Sequence, residues 1–191
     1  MKKTALILLL VVTFILILSS KALTREPAPS DRAFTVKSVA FNANGTIPNR
    51  YVCKDISEGQ NISLPLQWSG APANTKSYAI FMYDLNPVAK NFVHWAVINI
   101  PSQVTSLQEG VSATAYMPKG SIELPNSTGR IGYWGPCPPA GTGNHQYKIT
   151  VYALNTSNLS FSGRTSLAQF QAAIDGKTLA QAELSGYFEL K

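Results

Sequence analysis

Gly135-Pro136-Cys137-Pro138-Pro139-Ala140-Gly141-Thr142-Gly143-Asn144-His145-Gln146-Tyr147-Lys148-Ile149-Thr150-Val151-Tyr152-Ala153-Leu154 passes within a few residues from a stiff loop into a β-strand. Three prolines fix φ and donate no N–H, while Gly135, Gly141 and Gly143 allow tight or left-handed turns around them. From Gln146 onward the pattern changes. Tyr147, Ile149, Val151 and Ala153 share one strand face, and His145 lies on it two residues upstream. An inward, mainly apolar face therefore carries an imidazole and a phenol at its mouth, which reads as one wall of a rigid ligand pocket.

Working outward, the apolar runs are short and densely punctuated. Residues 33–39, 78–84, 92–100 and 146–154 read as strands, rich in β-branched and aromatic residues and bounded by Gly, Pro, Asn or Asp. Ser166-Leu-Ala-Gln169 and Thr178-Leu-Ala-Gln181 both match the capping-box pattern ahead of alanine-rich segments, so two short helices are predicted near 166–174 and 178–185. The expected fold is a mainly β single domain, residues 33–191, closed by short C-terminal helices. Residues 23–32, with Pro27, Pro29 and mixed charges, read as a solvated linker.

Residues 1–22 are set apart from the fold. Lys2 and Lys3 precede an apolar run from Ala5 to Leu18, shorter than the roughly 20 residues of a membrane helix, and Ser20 and Ala22 suit the −3 and −1 positions of a cleavage site. The reading is a signal peptide cleaved after Ala22, with an uncleaved N-terminal anchor as the alternative, and hence an exported protein, periplasmic or secreted. No stable membrane span remains after cleavage. Without Lys2, Lys3 and Lys21 the 16 basic residues become 13 against 10 acidic ones, a net charge of +3. That is too weak and too scattered for a nucleic-acid partner. Cys53 and Cys137 are the two cysteines, and an oxidising compartment permits a disulfide between them; a pair of small buried thiols is the other reading. There is no CxxC spacing, and no metal or cofactor is expected. A monomer and a homodimer are both open.

Phe81-Met82-Tyr83-Asp84-Leu85-Asn86-Pro87 ends a strand on an acid and a turn, and His94-Trp95 follows on the next strand. Strict alternation puts Phe92, His94, Ala96 and Ile98 on one face and Val93, Trp95, Val97 and Asn99 on the other. Both faces are largely apolar, so a histidine there needs a partner or a ligand. Taken alone, His94 reads first as a core histidine bonded to a backbone carbonyl. Trp68 and Trp95 read as core packing. Trp134, between Gly132, Tyr133 and Gly135, is placed near a rim.

Asn61-Ile-Ser-Leu-Pro-Leu-Gln-Trp68-Ser-Gly-Ala-Pro72, the Asp84 turn, His94-Trp95 and Gly135-Pro-Cys-Pro-Pro through His145-Gln-Tyr147 and Tyr152-Ala-Leu154 follow one another in order. This series resembles the phosphatidylethanolamine-binding proteins, and within them the bacterial Raf-kinase-inhibitor-like branch, over nearly all of the chain from about residue 34. The resemblance implies a β-sheet sandwich with a small pocket for phosphate-like or other anionic groups, and no shared enzymatic reaction. Carried over position by position, the pocket falls on Asp84, His94, Pro139, His145 and Tyr147, with Tyr187 matched to a tyrosine in a closing helix of relatives. The chain departs from the pattern in three places. Asp84-Leu85-Asn86-Pro87-Val88 replaces the family's Asp-Pro-Asp-Ala-Pro turn, Leu64 stands for a proline, and Gln146 stands for a basic residue.

The chemistry agrees. His94, His145 and Tyr147 offer N–H and O–H groups to a phosphate or carboxylate, while Asp84 is better used accepting from an imidazole N–H and orienting the ring. Anion affinity is then expected to fall as pH rises through the histidine range, between pH 5 and 8. Two other functions compete: a metal or acid/base enzyme built on Asp84, His94 and His145, and a protein-interaction role, such as inhibition of an extracellular protease or contact with a host protein. No Ser or Cys nucleophile motif accompanies the first, and an exported chain meets no cytosolic kinase.

Overall fold

The computed structural model describes residues 33–191. The expected signal segment, residues 1–22, and the linker, residues 23–32, lie outside the described residues. Nine strands follow in chain order: β1 (Thr35–Lys37), β2 (Gly45–Thr46), β3 (Leu66–Ser69), β4 (Ser77–Asp84), β5 (Val93–Pro101), β6 (Ser106–Leu107), β7 (Ile122–Glu123), β8 (His145–Leu154) and β9 (Thr178–Phe188). One α-helix, α1 (Leu167–Ile174), lies between β8 and β9. They form a three-stranded sheet, β1-β3-β6, and a six-stranded sheet, β2-β9-β8-β4-β5-β7.

The larger sheet is buried on both faces, which is why β4 is buried along its whole length. One face carries Ile80, Met82, Trp95, Val97, Tyr147, Ile149 and Val151 and packs with Leu66, Trp68 and Leu107 of the smaller sheet. The other carries Ala79, Phe81, Ala96 and Ile98 under α1, with the Phe81 and Phe170 rings 4.4 Å apart. Ser166 caps the helix by accepting from Gln169 N–H, as its sequence signature requires.

The second predicted helix is a strand. Residues 178–188 pair with β8 over its full length, from His145↔Phe188 to Leu154↔Thr178. The Thr178-Leu-Ala-Gln181 signature is local, and alanine's helix preference is only a few tenths of a kcal/mol per residue. Against it stands period-2 burial of Ala182, Leu184, Gly186 and Phe188, which covers the otherwise open edge of a ten-residue central strand. Gly186 is required there: a Cβ would lie 2.6 Å from the Phe41 ring and 2.7 Å from Ile47.

The face assignment in β5 is also corrected. Met82 opposes Trp95 while Tyr83 opposes Val93, so His94 is the extra residue of a bulge. Val93 joins Ala96 and Ile98 in the cluster under α1, and Trp95 and Val97 keep the opposite face. A second irregularity sits between Tyr78 and Ile80; nearby Asn99 has a φ of 60° and donates to Leu159 O and accepts from Leu159 N–H.

Candidate ligand-binding site

Because β4 runs antiparallel to both β5 and β8, the last residue of β4 and the first residues of the other two meet at one end of the sheet. Asp84, His94 and His145 therefore converge, and with Val88, Ala89 and Phe92 on one side and Cys137, Pro138 and Pro139 on the other they line a cavity of about 270 Å³. The polar groups form its floor and the walls are apolar.

Each wall is held from behind. Asp84 Oδ1 accepts from Asn86 N–H at 2.8 Å, and Asn86 Oδ1 accepts from Val88 N–H at 3.0 Å, which starts a 3-10 turn at Pro87–Ala89. Asn86, the amide in place of an acid, thus builds the lip rather than facing the ligand. On the other side Cys53 and Cys137 form a disulfide, Cys53 N–H donates to Pro136 O at 3.0 Å, and Gly135 N–H donates to Asn61 Oδ1 at 2.8 Å. Gly135 has no room for a side chain, since a Cβ would lie 2.2 Å from Tyr51 O.

Asp84 accepts from an imidazole, as expected, and the ring is that of His145: Nδ1 lies 2.6 Å from Asp84 Oδ2, both side chains buried. His145 Nε2 lies 2.9 Å from Thr142 Oγ1, whose hydroxyl donates to Pro139 O at 2.7 Å. Both nitrogens of His145 are thereby engaged within the protein. His94 differs. Its Nδ1 lies 2.7 Å from Trp134 O, the core-histidine contact, while Nε2 has no hydrogen-bond partner among the described residues and the ring borders the cavity. Burial pushes the His94 imidazole down to about 4; the carbonyls of Trp134 and Gly135 and the carboxylate of Asp84 oppose that shift, and His145 adds to it.

Tyr147 lies beneath these rings, 5.1 Å from His94 and 6.4 Å from His145, fully buried and not on the cavity wall. Its hydroxyl has no hydrogen-bond partner among the described residues, and burial, with Asp84 nearby, raises its pKa. Trp134 does not line the cavity either; it acts through its backbone, its N–H donating to His94 O at 2.8 Å, while the Arg130 guanidinium sits 5.3 Å over its ring. Tyr187 lies in β9 opposite Gln146, away from the cavity, and not in a helix. Gln146 itself points to the other sheet face, donating to Ser185 Oγ, so the missing basic residue is not a cavity group. Pro139 lines the cavity. Val88, Ala89 and Thr142 were not singled out, Phe92 was placed only on a strand face with His94, and Cys137 was named only as a possible disulfide partner of Cys53.

Among the described residues, the metal-ligand atoms that crowd together belong to Cys53, Asp55 and Cys137, and the two sulfurs are bonded to each other. No helix of the described residues is long and apolar enough to cross a membrane.

Two sheets sandwiching a common core, with a small apolar-walled pocket at the strand ends, define a single-domain β-sandwich protein. The chain belongs to the phosphatidylethanolamine-binding protein family, whose family model matches residues 37–189. It is 39% identical over 153 residues to a UPF0098 protein of Methanothermobacter thermautotrophicus, covering 80% of this chain and 97% of that one. It is 37% identical over 163 residues to the putative lipoprotein LppC of Mycobacterium tuberculosis, covering 85% and 76%. The crystal structure of Escherichia coli YbcL, described as a member of the mammalian PEBP family, superimposes with a TM-score of 0.77 at 32% identity, covering 84% of this chain and all of that one.

Proposed function

We propose that this is an exported, non-catalytic binding protein whose pocket takes a phosphate-like group, carried by a small molecule or a phospholipid head group. The observation that carries the reading is His94 Nε2, an imidazole nitrogen without a partner among the described residues, in a ring that borders a cavity with apolar walls. A polar floor and greasy sides suit a ligand with one polar end. The family supports a lipid or anion ligand, and the lipoprotein name of the mycobacterial relative supports export. The walls are tied down by a disulfide and by turn hydrogen bonds, which favours holding a ligand over reshaping around it.

Calorimetric titration with inorganic phosphate and with phosphoethanolamine tests the proposal. Saturable binding that weakens at least tenfold in His94→Ala is expected. Absence of binding by both compounds across pH 4 to 8 would overturn it.

A further inference from the structure

The proline wall of the cavity also carries a reactive bond. Cys137 lines the cavity between Pro136 and Pro138 and is partly exposed, whereas Cys53, its partner in the disulfide, is fully buried. Backbone closes around Cys53. Its N–H donates to Pro136 O at 3.0 Å, its carbonyl accepts from Ile56 N–H at 3.2 Å, and the chain at Gly59 and Gly135 lies too close to it for a side chain at either glycine. Thiol–disulfide exchange depends on access to the sulfur attacked, and here the two sulfurs differ in access. The direction of approach is biased as well. Asp55 is exposed and puts a carboxylate oxygen within 4.8 Å of both sulfurs, which repels a thiolate arriving from its side. On the cavity side the acid, Asp84, is already paired with His145. The cavity, about 270 Å³ with apolar walls, has room for a thiol of the size of cysteamine.

We infer that Cys137 is a site of thiolation inside the cavity, at which a low-molecular-weight thiol and the phosphate-like ligand exclude each other. The thiolate sulfur bonds to Cys137 Sγ, the Cys53–Cys137 bond breaks, and its electron pair leaves on Cys53 Sγ, which takes up a proton from solvent. One disulfide replaces another, so no further oxidant or reductant enters. The attached group then fills the space that the ligand needs. Prolines on both sides fix the backbone of Cys137, and the bond from Cys53 N–H to Pro136 O keeps the two cysteines adjacent, so the bridge re-forms and expels the thiol when its concentration falls. The exclusion rests on the phosphate-binding reading above; the choice of sulfur does not.

Wild-type protein is exposed to cysteamine at pH 8, quenched in acid and digested with pepsin, since exchange stops once thiolates are protonated, and the peptides are mapped by mass. The thiol is expected on Cys137, with Cys53 free. Inorganic phosphate at about ten times its calorimetric dissociation constant leaves about one molecule in eleven empty, so the adduct should form about tenfold more slowly than in chloride of equal ionic strength. Single variants read the same asymmetry without the bridge, their folds checked by circular dichroism. In Cys53→Ser the remaining thiol should react with dithionitrobenzoate in the folded protein, and in Cys137→Ser only after urea is added. A thiol on Cys53, no adduct at all, or a rate unmoved by saturating phosphate would overturn the inference and leave ligand binding standing. Failure of phosphate to bind in calorimetry would overturn the ligand reading and the exclusion with it, while an adduct confined to Cys137 would still establish the site.

Discussion

At the scale of single residues, the two histidines have opposite situations although they share one cavity. His145 is paired on both sides, with Asp84 and Thr142, whereas His94 spends one nitrogen on a backbone carbonyl and keeps the other. The chemistry of Asp84 was legible, since an acid beside histidines is best used accepting an N–H. Which imidazole it would take was not legible, because that depends on the pairing of β4 with β8. A consequence follows for stability. His94 sits at about 4 in the folded chain against an ordinary 6.5, so the unfolded chain binds the proton first as pH falls. Stability is therefore full above pH 6.5 and is lost progressively down through pH 4, by about 3 kcal/mol from this group. Urea denaturation at pH 7 and pH 4 should show that loss in the wild type and a smaller one in His94→Gln; identical pH dependence in the two would rule out a depressed His94. The same depression moves the expected pH window for protonating this ring below the pH 5 to 8 range suggested by sequence.

At the scale of elements, alternation and turn residues located β4, β5, β8 and α1 within a residue or two, because each is bounded by strong punctuation and has a consistent period. β9 was misread for an instructive reason. A capping box is a signal within one turn of chain, whereas the edge that β8 offers is 10 residues long and can be seen only once β8 is placed. The β5 bulge was invisible for a related reason, since register belongs to a pair of strands rather than to one sequence. Gly186 tests the placement of β9. Gly186→Ala should destabilise by about 1–3 kcal/mol, because the added methyl meets Phe41 and Ile47 in the core. Chemical denaturation would measure it, and a change below about 0.5 kcal/mol would mean that the strand does not sit against those side chains.

At the scale of the whole molecule, the pocket's proline wall is fastened to a segment 84 residues earlier in the chain by Cys53–Cys137. Sequence left the two cysteines open between bridge and buried thiols, since nothing local fixes the distance between them. Loop-closure entropy over that span gives a stabilisation of about 4.5 kcal/mol in the chain-entropy model. The double variant Cys53→Ser, Cys137→Ser should lose that amount in thermal or urea unfolding, and loosening of Pro138 and Pro139 should weaken phosphate binding as well. Unchanged stability would show that the bridge does not constrain the unfolded chain. The span between the cysteines also contains the exposed run around Tyr116, itself 86% exposed. A protease that cuts once in that run leaves two fragments still joined through sulfur, so the nicked protein migrates as one species until a reductant is added. In an oxidising, protease-rich compartment, a break in the backbone would then fall short of a break in the molecule.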